Sequence, residues 1–182
     1  MDSIKLDDFK QALPDQMPIS VIMERRPSKS EWINFSFDAL GVVTAENAHG
    51  SPTQGSPVSK IHEQNGIQQY LFSGLTIKLF KDECESYYHN LMSPQPGCFV
   101  VADQPDDPDL MPAPYLVSLS FDEVHSYLEG GENVYSVDIP PELYKWTEAF
   151  VLTQYISTRK VKRKLKDWKK QGQGNISLNG KL

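Results

Sequence analysis

Hydrophobic and polar residues alternate with a period of two along the first half of the chain. From residue 18 onward, Ile19, Val21 and Met23 fall on one side of an extended segment, and Ser20 and Glu24 fall on the other. This pattern is typical of a strand with one buried face. Similar strand patterns follow at residues 32–43, 67–72, 75–80, 98–103, 115–119 and 134–139.

Three segments show helical rather than strand patterns. Residues 82–91 predict a short helix, and Ser120 with Glu123 forms a capping-box pattern that predicts a second helix ending at Glu129. Two prolines at 140–141 open the last helix. No proline or glycine occurs from residue 142 to residue 171, so we expect that helix to continue into the C-terminal segment.

Short connections between most of the strands favour antiparallel pairing. We therefore predict one α+β domain at residues 18–158, with a mostly antiparallel curved sheet or partly open barrel, two short helices and a long C-terminal helix. Residues 1–17 are expected to be a mobile lead-in, and residues 45–66, rich in Gly, Pro and Ser, a long surface loop. Gly41 predicts a bulge, and the Ser73–Gly74 pair predicts a tight turn or a bulge.

The charge is distributed unevenly along the 182 residues. Residues 159–182 contain nine Lys or Arg and one Asp, a net charge of +8, so the rest of the chain carries −14 of the total of −6. We expect the acidic body to avoid nucleic acid. The basic tail, helical or disordered, could bind a partner or an anionic membrane surface, or fold back onto its own body. The N-terminus lacks a secretory pattern, so we expect a cytoplasmic protein.

Motifs for catalysis are missing from the sequence. It contains neither a G-x-G-x-x-G nor a G-x-x-x-x-G-K-[ST] phosphate loop, and no G-x-S-x-G elbow. Cys84 and Cys98 are expected to pack in the core. The acidic run at residues 103–109 is expected to be a solvated loop instead of a calcium site. We predict no catalytic residues, no metal ligands and no cofactor, and favour a protein that is not an enzyme.

Two clusters are candidates for binding a partner. Arg25 and Arg26 end the first strand and point to opposite faces, so one can pair with body carboxylates while the other is displayed. An internal ion pair is the favoured interpretation of this pair of arginines. In the tail, Val161, Leu165 and Trp168 form an apolar stripe within a basic segment. Projection of this segment is favoured over docking on the body. The basic residues that accompany Trp168 as candidates are Lys162, Arg163 and Lys164.

Several segments together resemble a known family: PISVIMERRP, EWINF, KDECESYYHNLMSPQPGCFVV, YLVSLSFDEVHSYLEGGENVYSVDIP, LYKWTEAFV and VKRKLKDW. The chain resembles, over about residues 18–168, a small bacterial family of unknown function encoded near formate dehydrogenase genes. Some members are labelled molybdopterin-guanine dinucleotide biosynthesis protein A. The resemblance adds Tyr88 and Asn90, in the helix before Ser93–Pro94, to the candidate partner-binding residues.

The resemblance implies a role near molybdenum- or tungsten-dependent formate dehydrogenase. The transferase label is set aside because this N-terminus lacks the Gly-rich loop that guanylyl transfer requires. The leading hypothesis is a non-catalytic accessory protein that assists maturation or assembly of formate dehydrogenase, by binding that enzyme or its maturation factors. The alternative is a module that attaches to anionic membrane or nucleic acid through its basic tail. An enzyme acting on a molybdopterin nucleotide is a weaker alternative.

Overall fold

A computed structural model of the chain describes residues 13–44 and 58–154. Seven strands and three α-helices follow one another along these residues. A 3₁₀ turn, Lys81–Glu83, leads into the first helix. The elements are β1 (Gln16–Pro27), β2 (Phe35–Thr44), β3 (Val58–Gln64), β4 (Ile67–Lys78), α1 (Cys84–Leu91), β5 (Gly97–Ala102), β6 (Pro114–Ser118), α2 (Phe121–Glu129), β7 (Asn133–Asp138) and α3 (Pro141–Gln154).

The strands form two antiparallel sheets. The first has the order β2-β1-β4-β3 and the second the order β6-β5-β7. The sheets approach each other where β4 meets β6 and where β2 meets β7. The predicted α+β class and antiparallel pairing are confirmed. The prediction of one curved sheet or partly open barrel is corrected to two open sheets, because α1 carries the chain away from β4 and β5 then pairs with β6 and β7.

Both predicted irregularities of the first sheet are bulges. The β1–β2 register shifts where Ile22 pairs with Gly41 and Met23 with Ala39, which leaves Leu40 as an extra residue. Opposite Ser20, β4 carries Ser73 and Gly74 as its bulge, and Gly74 has a φ of 84°. Residues 67–78 are therefore one continuous strand, rather than two strands separated by a turn.

Three predicted boundaries differ from the structure. Part of the predicted 45–66 loop is strand β3, whose residues are mostly exposed and therefore lack an apolar alternation. Residues 32–34 belong to the β1–β2 connection, in which the Ser28 amide donates to the Asn34 carbonyl at 2.9 Å. The expected lead-in contributes its last two residues to β1.

One core joins both sheets with α1 and α3. The predicted inward faces are confirmed for β1 and for the stripe of Leu143, Trp146 and Phe150 on α3. The first strand is tied to the last helix because Trp146 Nε1 donates to the Pro14 carbonyl at 2.8 Å. The buried apolar residues of this core are Ile19, Val21, Met23, Ala39, Val42, Ile77, Leu79, Cys84, Tyr87, Leu91, Cys98, Val100, Val117, Leu119, Val137, Leu143, Trp146, Phe150 and Val151.

The capping prediction for α2 holds in one of its two halves. Ser120 Oγ accepts from the Glu123 amide at 3.1 Å, as the sequence indicates. The Glu123 carboxylate, however, accepts from Ser118 Oγ at 2.6 Å instead of returning to the Ser120 amide. The described part of α3 ends at Gln154, so the expected continuation into the tail lies outside the described residues. No helix in the described ranges is long and apolar enough to cross a membrane.

Candidate functional site

Arg25 is the first residue on the inward side of β1 that lies beyond the buried core. Because side chains alternate along a strand, Arg25 shares a face with Val21 and Met23, which are fully buried. Its guanidinium carbon lies 3.5 Å from the centroid of the Phe35 ring, a cation–π contact. Its Nη1 donates to Gln68 Oε1 over a long 3.4 Å, and its Nε is buried without a hydrogen-bond partner among the described residues.

A polar network continues from Arg25 across β4 to the edge strand β3. Gln68 receives hydrogen bonds from Arg25 and from the Tyr70 hydroxyl, the latter at 3.0 Å. The Gln68 amide donates to Glu63 Oε1 at 2.8 Å, and Glu63 pairs with Lys60. This pairing lowers the pKa of the Glu63 carboxyl and raises that of Lys60. The network holds the Arg25 guanidinium against Phe35, and the other cation in it, Lys60, is paired with Glu63.

Arg26 lies on the opposite face of β1 and forms ion pairs. Its Nε is 3.2 Å from Glu24 Oε1, and its Nη2 is 3.4 Å from Asp38 Oδ2. Glu24 is held in turn by the Gln69 amide at 3.0 Å. Of the two arginines, Arg26 is the one anchored by carboxylates, while Arg25 rests on an aromatic ring.

A cleft of about 610 Å³ opens beside Phe35, between the start of β2 and the β5–β6 loop. Half of its lining residues are aromatic or proline, and four are polar. Asp38 and burial both raise the pKa of the Tyr135 hydroxyl, with burial the larger cause. The lining residues are Ile33, Phe35, Ser36, Phe37, Gln104, Pro105, Asp106, Pro108, Leu110, Pro112, Asn133 and Tyr135.

The loops that form the cleft are fixed to each other. Asn34 Nδ2 donates to Asp109 Oδ2 at 2.7 Å and so bridges the β1–β2 connection and the β5–β6 loop. Within the latter, Asp103 Oδ1 accepts from the Ala113 amide at 2.6 Å, and Asp107 Oδ1 accepts from the Asp109 amide at 2.9 Å. The acidic run therefore organises its own loop. Within the described residues, no group of three or more His, Cys, Asp or Glu could hold a metal ion.

Large apolar side chains are exposed beside this cleft, which we call the Trp32 cleft. Trp32 is 92% exposed and directly precedes the lining residue Ile33 in the chain; Ile33 and, on the β5–β6 loop, Leu110 are also exposed. A tryptophan is the side chain that gains most from being covered by a partner. Trp32 was not among the candidates drawn from the sequence, because it was placed at the start of a predicted strand. The signal in the sequence was that Trp32 shares a face of that strand with the polar residues Asn34 and Ser36.

Asn90 is part of the fold's internal hydrogen bonding. Its Nδ2 donates to the carbonyls of Gly97 and Leu119 at 2.8 and 2.9 Å, and its Oδ1 accepts from the Gly97 amide at 2.9 Å. Asn90 also lies at the floor of a second cavity, of about 450 Å³. The amide has both donors committed, so it joins α1 to the second sheet and has no N–H left for a partner.

Tyr88 is displayed on the surface of α1, in contrast to Asn90. It lines a small groove between α1 and α3 and meets His89 in an edge-to-face contact with ring centroids 5.6 Å apart. The remaining candidates, Lys162, Arg163, Lys164 and Trp168, lie outside the described residues. The predicted partner-binding set is therefore not brought together as one surface by the described part of the chain.

Both cysteines lie in the core, as the sequence predicts. Burial raises the pKa of the Cys98 thiol to about 12, and burial followed by the charge of Asp82 raises that of Cys84. Both thiols are thus neutral at physiological pH. His89 and His125 are exposed and face Glu85 and Glu129, so no Cys–His pair forms within the described residues.

Comparison with known proteins identifies a family for this chain, and that family has no known function. No curated protein and no solved structure matches the chain. A family model described as "Protein of unknown function (DUF3305)" matches residues 18–164, which include every described strand and helix apart from the first two residues of β1. The chain with this two-sheet fold therefore belongs to the DUF3305 family of proteins of unknown function.

Proposed function

We propose that the protein is a non-catalytic accessory factor that binds a protein partner through the cleft beside Phe35. The observation that carries this proposal is Trp32, which is 92% exposed and directly precedes Ile33, a lining residue of that cleft. Exposed apolar side chains grouped around a concavity mark interaction surfaces, and tryptophan is over-represented among residues that dominate binding energy.

The construction of the cleft supports a protein ligand. The Asn34–Asp109 bridge and the aspartate-capped loop hold the rim in place before binding, which reduces the ordering cost of association. The prolines and aromatic rings of the lining offer apolar contact area. The polar lining residues are Ser36, Gln104, Asp106 and Asn133. Such a lining suits a peptide segment or a protruding loop of a partner.

The charge around the cleft favours a partner surface with basic residues. The β5–β6 loop carries Asp103, Asp106, Asp107 and Asp109 and no Lys or Arg. Cationic side chains next to an apolar segment would meet carboxylates at the rim and aromatic rings inside. The same charge disfavours nucleic acid at this surface, because phosphates would face aspartates.

The partner proposed is formate dehydrogenase or one of its maturation factors, and the support for it is the resemblance described in the sequence analysis. The proposed place of action is the cytoplasm. The Trp32 cleft supplies the binding surface for this role, and it requires neither a cofactor nor a reacting group.

Measuring the affinity of the purified chain for purified formate dehydrogenase, and for its maturation factors, tests the proposal. Trp32→Ala is expected to weaken binding by about tenfold or more, since truncating a tryptophan that a partner covers typically costs about 2 kcal/mol or more. The matched control is Leu128→Ala, which truncates another exposed apolar side chain on α2, away from the cleft. Both variants should unfold at the temperature of the wild type.

Two outcomes contradict different parts of the proposal. If the wild-type chain binds none of these proteins, the proposed partner is wrong. If it binds and Trp32→Ala binds equally well, the cleft is not the recognition surface.

A further inference from the structure

A small apolar groove lies between α1 and α3, on the side of the molecule away from the Trp32 cleft. It has a volume of about 130 Å³ and is lined by Tyr88, Leu91, Met92, Tyr144, Glu148, Val151 and Leu152. Two of these side chains are unusually exposed for their type: Met92 at 67% and Leu152 at 79%. A groove of this size accommodates one large side chain.

The chain leaves the described residues beside this groove. Leu152 is two positions before Gln154, where the described part of α3 ends, and 28 further residues follow. Trp168 is 14 residues beyond Gln154. An extended chain spans at most about 3.3–3.6 Å per residue, so this tether reaches about 45–50 Å. Since α3 itself is about 21 Å long, Trp168 can return to any part of the groove.

Charge favours the tail as the occupant. Residues 159–170 are RKVKRKLKDWKK, in which the apolar residues Val161, Leu165 and Trp168 stand among lysines and arginines. Glu148 lines the groove, and Glu85 lies one helical turn before Tyr88 on α1. The bases near them on these helices are Lys145 and His89, and His89 already faces Glu85 at 3.9 Å.

The position of the groove also decides between the two apolar surfaces of the body. Trp146 of α3 donates to the Pro14 carbonyl, so α3 lies near the start of β1. The Trp32 cleft lies at the other end, where β1 finishes and β2 begins. A strand of 12 residues is about 40 Å long. The groove is therefore much nearer than the cleft is to Gln154, after which the C-terminal segment begins.

We infer that the α1–α3 groove is a docking site for the chain's own basic C-terminal segment, with Trp168 inserted among Tyr88, Met92 and Leu152. The lysines around Trp168 then face Glu148 and Glu85. This contact explains how two separate candidates from the sequence, Tyr88 and Trp168, belong to one surface. It leaves the Trp32 cleft open, so it is independent of the proposed function.

The test uses ¹⁹F NMR of the full chain labelled with 5-fluorotryptophan. The protein has three tryptophans, and two serve as internal references: Trp32 is 92% exposed and Trp146 is 7% exposed. Trp32→Phe and Trp168→Phe identify the signals. The difference in chemical shift between H₂O and D₂O measures the exposure of each indole. The expected result is a Trp168 signal much closer to Trp146 than to Trp32.

Leu152→Lys tests the groove itself, because it places a charge of the same sign as the tail's among the apolar side chains without disturbing a buried residue. It should move the Trp168 signal to the exposed position of Trp32. Leu128→Lys, the matched change at an exposed position of α2, should leave the Trp168 signal unchanged. Trp146 should be unaffected in both variants, which shows that the core stays folded.

Three results would overturn the inference. In the first, Trp168 is as exposed as Trp32 in the wild type. In the second, Trp168 is protected but its signal does not respond to Leu152→Lys, which places the indole elsewhere. In the third, its protection disappears on dilution, which assigns the contact to a second copy of the chain.

Discussion

Replacing Asn90 by alanine removes three hydrogen bonds at a single buried position. The side-chain amide connects the last turn of α1 to both the amide and the carbonyl of Gly97 and to the carbonyl of Leu119. Gly97 begins β5, and Leu119 directly follows β6. Asn90 therefore fixes the helix to two neighbouring strands of the second sheet.

The expected loss follows from the number and burial of these bonds. A typical hydrogen bond contributes about 1 kcal/mol net, and a buried group left without a partner costs about 1–3 kcal/mol. Because the three bonds share one side chain and water can reach part of the 450 Å³ cavity beside it, we expect Asn90→Ala to lower the free energy of unfolding by about 3 kcal/mol. For a domain of this size that is a fall in Tm of about 6–12 °C.

Asn90→Asp separates the donors from the acceptor. Aspartate keeps an oxygen for the Gly97 amide but turns a carboxylate toward the Gly97 and Leu119 carbonyls. Near neutral pH it should therefore destabilise at least as much as alanine. Part of the loss should be recovered in acid, when the carboxyl is protonated and can donate once.

Urea unfolding followed by circular dichroism measures these differences. The control is Asn133→Ala, which removes one exposed hydrogen bond to the Asp103 carbonyl and should cost less than about 1 kcal/mol. The reasoning is refuted if Asn90→Ala destabilises no more than the control. Loss of partner affinity at unchanged stability would restore Asn90 as a partner-binding residue.

Two further predictions concern the thiols and the arginines. Since burial raises the pKa of Cys98 to about 12, the folded state retains its proton longer than the unfolded state, so this contribution to stability is complete below about pH 9 and declines as the pH rises toward 12. The urea midpoint should fall between pH 8 and pH 11, and less steeply in Cys98→Ala; an equal slope in the variant contradicts the assignment. Arg26→Ala breaks a partly buried ion pair with Glu24, which keeps its hydrogen bond from Gln69, and an exposed one with Asp38, and should cost about 1 kcal/mol. Arg25→Ala removes the contact with Phe35 and the hydrogen bond to Gln68 and should cost more, as measured by urea unfolding. The reverse order would show that Glu24 and Asp38 stabilise the strand end more than the aromatic contact does.

The sequence predicts elements whose two faces differ strongly in burial. β1 is recognisable because Ile19, Val21 and Met23 are buried, and α2 because Ser120 caps it. β3 is not recognisable, because an edge strand with mostly exposed side chains carries no apolar period. Trp32 and Ile33 were predicted to begin a strand, but they are exposed residues of the β1–β2 connection, and Ile33 lines the cleft.

The site is less predictable than the fold because it depends on contacts between distant segments. The cleft exists because Asn34 reaches Asp109, 75 positions away in the chain. The adjacent arginines indicated a binding surface. Only the structure shows that the Arg25 guanidinium stacks on the Phe35 ring and that Arg26 forms ion pairs with Glu24 and Asp38. Likewise, the helical position of Asn90 does not show which strands its amide will meet.

The hydrogen bond from Trp146 to Pro14 has a consequence for synthesis on the ribosome. It joins positions 132 residues apart, and the apolar face of β1 shares its core with α3. At about 5–20 residues per second, the interval between making these two ends is on the order of ten seconds. During that time the first sheet can pair its strands, but the nascent chain lacks the helix that completes its core. The nascent chain thus exposes apolar surface before the domain is complete, and it depends most on chaperones in that interval.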